Sequence, residues 1–228
     1  MLKLKLLLQF FFFLIICSSA SAQDWPNLER YHSADSVLMT KPVKEGRVVF
    51  MGNSITDIWI QHSPDFWNEN PYIDRGISGQ TTPQMLIRFQ QDVIHLQPEA
   101  VVILAGTNDL AGNTGPSTLL MIKDNITSMA QIAQANGIQV ILSSILPVYD
   151  YPWKKGTYPA QKIVALNHWM EKFCAQNDFT YLDYYSHLVD DRGGMKAIYS
   201  EDGVHPNNAG YKVMEPLAKK AIEKVLSH

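Results

Sequence analysis

Four near-continuous apolar runs constrain this chain more than any other feature: "RVVFMG" (47–52), "AVVILAG" (100–106), "IQVILSSILPV" (138–148) and "FTYLDYY" (179–185). Runs that do not alternate with polar residues suit strands covered on both faces, as in a parallel sheet between helices. A shorter apolar stretch, "PYIDRGIS" (71–78), lies between the first two. The intervening segments have helical spacing. In "TTPQMLIRFQQDVIHL" (81–96), Met85, Leu86, Phe89, Val93 and Leu96 share one side behind a Thr-Thr-Pro start suited to an N-cap and first turn. "TLLMIKDNITSMAQIAQANG" (118–137) repeats the pattern with Leu119, Ile122, Ile126, Met129 and Ile132, and stops at Asn136-Gly137. Segments 160–177 and 209–226 read the same way, with Pro216 expected to kink or shorten the last one. Strands alternating with helices predict right-handed crossovers and an α/β fold, a three-layer α/β/α sandwich around a central five-stranded parallel sheet. Residues 23 to 45 are expected to pack as a leader helix.

The first 22 residues read differently. A basic start (Lys3, Lys5), an apolar run from Leu6 to Ile16 and a small-x-small ending at Ala20-Ser21-Ala22 predict a signal peptide cut before Gln23. The run is shorter than the roughly 20 residues a membrane span needs, which weighs against the alternative reading, a retained anchor. Cys17 raises a lipoprotein anchor, but Ile16 precedes it where a small residue is expected. The expectation is an exported protein, periplasmic or secreted, with residues 23–228 as a single domain. Losing Lys3 and Lys5 makes the remainder more acidic than the whole chain's net charge of −3, and no basic block offers itself to nucleic acid. One cysteine, Cys174, remains, in line with Ile163, Leu166, Met170 and Phe173 at helical spacing, and reads as a packing residue.

In parallel α/β sheets ligands sit beyond the carboxyl ends of the strands, where this sequence places Asn53-Ser54, Ser78-Gly79, Thr107-Asn108-Asp109 and "YDYPW" (149–153). Ser54, at a strand-to-helix turn, is either a helix cap or a hydroxyl exposed beside free N–H groups. Asn108 in "GTND" either closes an Asx-turn or offers its carboxamide N–H₂ across the strand ends. Gly79 is a turn glycine, or a place where backbone approaches a ligand and offers its N–H. In "SEDGVHPNNAG" (200–210), Asp202 and His205 are either an exposed pair without a role or a carboxylate fixing an imidazole's tautomer.

Together and in this order, the four blocks resemble those of the SGNH hydrolases, also called the GDSL esterase family, along nearly the whole chain from "VVFMGNSITDIW" to "EDGVHPNNAGY". The nearest resemblance is to lysophospholipase-like and platelet-activating-factor-acetylhydrolase-like members and to bacterial carbohydrate acetylesterases. The resemblance implies a flavodoxin-like sheet and a triad of Ser54, Asp202 and His205. It also implies oxyanion donors from the Ser54 N–H, the Gly79 N–H and the Asn108 side chain. The family's first block usually reads Gly-Asp-Ser, and this chain has Gly52-Asn53-Ser54; Asn makes many of the same turn hydrogen bonds without the charge. Asp74 stands in the second block where Asn is common.

The expected reaction is ester hydrolysis through an acyl-serine, with no metal or other cofactor. His32, His62, His95, His168, His187 and His228 show no metal-ligand spacing. The aromatic stretch "LPVYDYPWKKGTYP" (146–159) is expected to wall the pocket. Tyr149, Tyr151, Trp153, Trp59 and Asn53 are the candidate substrate contacts, with Trp67 as a further aromatic; packing against the body is the alternative for the rings. Export and an acidic surface favour short acyl groups, such as acetyl esters on glycans. A lysophospholipase or thioesterase acting on lipid acyl chains is the rival within the same chemistry. A glycan-binding module without turnover is the rival of another class.

Overall fold

The apolar runs form β1 (Val48–Gly52), β2 (Tyr72–Gly76), β3 (Ala100–Leu104), β4 (Gln139–Ser143) and β5 (Thr180–Leu182). They are seen in a computed structural model that describes residues 24–227; the leader assigned to residues 1–22 lies outside the described residues. All pairings are parallel, and the strand order is β2-β1-β3-β4-β5. Val48 lies opposite Tyr72 and Ala100, and Gly52 opposite Gly76 and Leu104. The chain leaves β1 for one edge of the sheet and then returns to β1's other side, so the switch in direction falls between β1 and β3. Crevices at such switch points, outside the carboxyl ends of the strands, are where ligands bind in this architecture.

Alternate residues of each strand serve two cores. Val49, Met51, Val101, Ile103, Val140 and Leu142 face one layer. It is built by α5 (Thr82–Asp92), α7 (Leu119–Ala135) and α8 (Ala160–Asn177). Val48, Phe50, Val102, Leu104, Ile141 and Leu182 face the other. That layer consists of the short helices α2 (Ser54–Asp57), α3 (Trp59–His62) and α4 (Pro64–Asn68), with α9 (Tyr185–Leu188) and the long C-terminal α10 (Asn208–Leu226). Each such side chain contributes about 1.5–3 kcal/mol on leaving water, so burial on both sides explains why the strands read as unbroken apolar runs. The leader helix, α1 (Glu29–Met39), packs beside α5, and α6 (Thr107–Ala111) follows β3. Cys174 is buried in the first core.

Two expectations need correction. Pro216 does not shorten α10, which runs on to Leu226. It removes one hydrogen bond, to the Lys212 carbonyl, and both residues lie on the solvent side while Tyr211, Met214, Ala218 and Ile222 hold the opposite face. The apolar run 138–148 is a strand only to Ser143. From there its backbone finds side-chain partners: Asn167 accepts the Ile145 N–H at 2.8 Å and donates to the Ile145 carbonyl at 2.9 Å. Ser144 Oγ accepts the N–H groups of Tyr184 and Tyr185.

At the carboxyl end of β2, a Cβ on Gly76 would lie 2.2 Å from the Asp57 nitrogen, so only glycine lets the turn after β1 settle against β2. Beside it, burial pushes the Asp74 carboxyl up to about 7, against the Gly76 N–H that it accepts at 2.6 Å. The folded chain therefore holds this proton more tightly than the unfolded chain does. The resulting destabilisation develops as pH rises from about 4 to about 7 and is complete above that. Asp74→Asn keeps an acceptor for Gly76 and removes the charge. It is expected to raise stability at pH 8 by on the order of a few kcal/mol, with no gain near pH 4. Urea midpoints of both proteins across this range check it; a gain independent of pH would refute the assignment.

Candidate active site

Ser54 follows the last residue of β1 by two positions and opens α2. Asn53 is the cap: its Oδ1 accepts the Ile55 N–H at 3.0 Å, and its backbone carbonyl accepts Thr56 and Asp57. With Asn53 doing the capping, the serine hydroxyl is free for another partner. It lies 2.8 Å from His205 Nε2. On the other side of the ring, His205 Nδ1 is 2.6 Å from Asp202 Oδ2. An ionised carboxylate only accepts, so Nδ1 carries the hydrogen and Nε2 presents its lone pair to the serine. Burial raises the Asp202 carboxyl, but the bonds from the His205 ring and from the His205 and Val204 N–H groups outweigh it and hold it below its usual range. Asp202 is thus held in its ionised, accepting form. The loop carrying both residues is fixed at its end by Asn207, whose Oδ1 caps α10 through Ala209 and Gly210.

A cavity of about 490 Å³ opens beside the serine, lined by Ser54, Ile58, Ser78, Gly79, Asn108, Asn113, Trp153 and His205. Gly79 has a left-handed φ of +80°, which favours glycine, and a Cβ there would meet open space. Among the described residues, neither the Ser54 N–H nor the Gly79 N–H donates to another group. Asn108 gives one amide hydrogen to the Gln80 carbonyl at 2.9 Å and keeps a second. The Asp109 carboxylate accepts the N–H and hydroxyl of Thr82, tying the start of α6 to the start of α5. Asp57 takes the N–H and hydroxyl of Ser78 at 3.0 and 2.6 Å, binding the glycine turn to the helix that carries the serine. Neither this link nor Asn113, whose side chain donates to the Gly79 carbonyl, is among the residues expected from the sequence. Asn113 stands five residues beyond Asn108 at the end of a five-residue helix, a placement with no short-range signature.

Of the aromatic candidates, Trp153 lines the cavity, half exposed, with its ring 6.1 Å from that of His205. Tyr149 is exposed but outside that lining, packed against Tyr158 and Arg192. Tyr151, Trp59 and Asn53 are corrected: all three are buried and none lines the cavity. Tyr151 is fully buried, its hydroxyl donating to the Thr107 carbonyl at 2.8 Å. Trp59 stacks on Phe66 at 4.8 Å and Tyr211 at 5.2 Å, under the sheet; Trp67 is buried in the same cluster. Asn53 is fully buried as a cap, and its Nδ2 has no partner among the described residues. Tyr151 nevertheless matters to Trp153. It anchors a loop that Asp150 closes by accepting the N–H groups of Tyr151, Gly156, Thr157 and Tyr158, so the indole is carried on a braced support.

Among the described residues, no group of three or more His, Cys, Asp or Glu is placed to hold a metal ion, and no helix is long and apolar enough to cross a membrane. The fold and family define a carboxylic ester hydrolase built on a parallel α/β sheet. The chain belongs to the GDSL-like lipase/acylhydrolase family, which it matches over residues 50–213. It is similar to a crystal structure from Bacteroides fragilis NCTC 9343, a protein assigned to the acylhydrolases, with 45% identity and a TM-score of 0.87 over 90% of this chain and 99% of that one. A GDSL-like lipase from Bacteroides thetaiotaomicron VPI-5482 is 47% identical with a TM-score of 0.84, over 87% and 98% of the two chains. Esterase TesA of Pseudomonas aeruginosa is 30% identical over 59% of this chain. The chain spans 60% of TesA's length, and 33% of that of YqeF, a lipoprotein of Bacillus subtilis.

Proposed function

We propose that the protein is an exported serine esterase that removes short acyl groups, acetyl above all, from a hydroxylated substrate such as a glycan. The observation that carries this reading is the series Ser54 Oγ, His205 Nε2, His205 Nδ1, Asp202 Oδ2, at 2.8 and 2.6 Å, beside uncommitted N–H donors in an open cavity. In the reaction His205 Nε2 takes the Ser54 proton as Oγ attacks the ester carbonyl. Asp202 stabilises the imidazolium, and the carbonyl oxygen, now negative, is met by the Ser54 and Gly79 N–H groups and the Asn108 amide. His205 gives its proton to the departing alkoxide, breaking the ester C–O bond. Water, deprotonated by the same nitrogen, then releases the acid and restores the serine.

The cavity's lining supports a short acyl group: apart from Ile58 and Trp153 it is made of small or polar residues, too little apolar surface for a long chain. Export rests on the predicted leader, with the lipoprotein relative pointing the same way. A fluorophosphonate should label the protein at Ser54, and p-nitrophenyl acetate should be cleaved at least tenfold faster than the palmitate ester. Labelling elsewhere would remove the nucleophile assignment. Preference for palmitate would favour the lipid-directed reading, and absence of both activities the binding-module reading.

A further inference from the structure

His205 stands between two cavities, and the second has no role in the chemistry above. It has a volume of about 220 Å³ and lies on the Asp202 side, sharing Ile58 and His205 with the first. Its other walls are His62, Glu201, Asp202, Pro206 and Asn207. The oxyanion donors all line the first cavity, so a bound ester turns its carbonyl oxygen there. The leaving oxygen must lie within reach of His205 Nε2 to collect its proton. The alcohol portion then extends past the imidazole over the Ile58 ridge. Resting on the esterase reading, we infer that the second cavity is the leaving-group subsite and that it selects an uncharged polyol, as in a sugar ring.

The selection follows from what the walls offer. The polar atoms of Asn207 are already used, in capping α10 and in donating to the Ile198 carbonyl. His62 stacks on Tyr211, and its Nδ1 bonds Asn208 Oδ1, which only accepts; the ring hydrogen is therefore on Nδ1, and Nε2 is a bare acceptor. Glu201 is exposed, and its carboxylate has no hydrogen-bond or ion-pair partner among the described residues. The uncommitted groups are thus acceptors, the Glu201 carboxylate and one imidazole lone pair, since the Asp202 oxygens are already used by Ser200, Val204 and His205. Hydroxyl groups satisfy acceptors by donating. A phosphate-bearing alcohol brings more acceptors and a negative charge toward Glu201 and Asp202, and is repelled.

Steady-state kinetics with methyl 6-O-acetylglucoside, acetylglycerol 3-phosphate, acetylcholine and p-nitrophenyl acetate test this. The wild-type protein should prefer the glucoside to the phosphate ester, which the carboxylates repel, and to acetylcholine, whose trimethylammonium group has no hydrogen to donate to the Glu201 and His62 acceptors. Glu201→Ala and His62→Ala should each lower the ratio of kcat/KM for the glucoside to that for p-nitrophenyl acetate about fivefold, through KM, as expected for one lost hydrogen bond. Glu201→Lys should reverse the order of glucoside and phosphate ester. Unchanged ratios in the variants, or a wild-type preference for acetylcholine or the phosphate ester, would overturn the subsite. Loss of the esterase reading looks different: the wild-type protein would cleave none of the four.

Discussion

Ser54→Ala is expected to leave the fold intact and to lower kcat by roughly 10⁴- to 10⁶-fold. The wide gap between the two effects comes from where the serine sits. Its hydroxyl has one partner, His205 Nε2, and the side chain is partly exposed, so its loss leaves no buried group unsatisfied. Asn53, not Ser54, caps the helix, and its bond to the Ile55 N–H survives the change. Melting temperature should therefore move by only a few degrees. The chemistry loses its covalent intermediate altogether, and what remains is whatever the N–H groups of residues 54 and 79 and the Asn108 amide add to attack by water. Because the serine and imidazole act as one unit, Ser54→Ala combined with His205→Ala should be no slower than either variant alone. Hydrolysis of p-nitrophenyl acetate by the purified variants measures all three. A Ser54→Ala protein retaining a tenth of the wild-type rate would remove the serine from the mechanism.

The serine is legible in the sequence because its position is encoded locally. A two-sided strand ending in Gly-Asn-Ser fixes where the backbone turns, and the turn fixes where the hydroxyl emerges. The same holds for Asn108 after β3 and for the three-residue spacing of Asp202 and His205. Strand ends are less legible. The run 138–148 stays largely apolar because Ser144 to Val148 remain buried, yet Asn167 on a distant helix takes over the hydrogen bonding of Ile145, and no local pattern announces that exchange.

The aromatic residues mark the other limit. Trp59 is five residues from Ser54, and that nearness suggests a pocket wall. One short helix intervenes, however, and Trp59 opens the next, which turns the indole under the sheet against Phe66 and Tyr211. Tyr151 and Trp153, two apart, point to opposite fates, one bonded inside to Thr107 and one beside His205. Sequence distance measures how far a ring can be from the site, not which side of the backbone it takes. The charges behind the site are also unreadable from sequence, since Arg88 and Asp92 in "RFQQD" have the spacing of a solvated helical pair and are both buried.

Arg88 carries the largest expected effect on stability. It is completely buried and spends its guanidinium on four partners: Gln80 Oε1 at 2.6 Å, Asp92 Oδ2 at 2.8 Å, the Arg75 carbonyl at 2.8 Å and the Gly52 carbonyl at 3.0 Å. Burial pulls its pKa down and Asp92 pulls it back up, so the charge persists because the carboxylate is there. Arg88→Met strands that carboxylate in the core, where its other oxygen already has no partner among the described residues. The expected loss is about 3–5 kcal/mol, a large share of the roughly 5–15 kcal/mol that holds a domain folded. Adding Asp92→Leu removes the stranded charge and should recover at least half of that loss, because much of it is the penalty for an uncompensated ion rather than the worth of the pair. Gln80 and Gly52 also flank the site, one presenting its carbonyl to Asn108 and the other preceding Asn53-Ser54. Well below its melting temperature, the double variant should therefore still show a reduced kcat, a defect that restored stability does not repair. Urea denaturation of wild type, single and double variants gives the energies, and p-nitrophenyl acetate turnover at low temperature gives the kinetic effect. A single variant within 1 kcal/mol of wild type, or a double variant less stable than the single, would show that Arg88 is not the buried clamp this geometry describes.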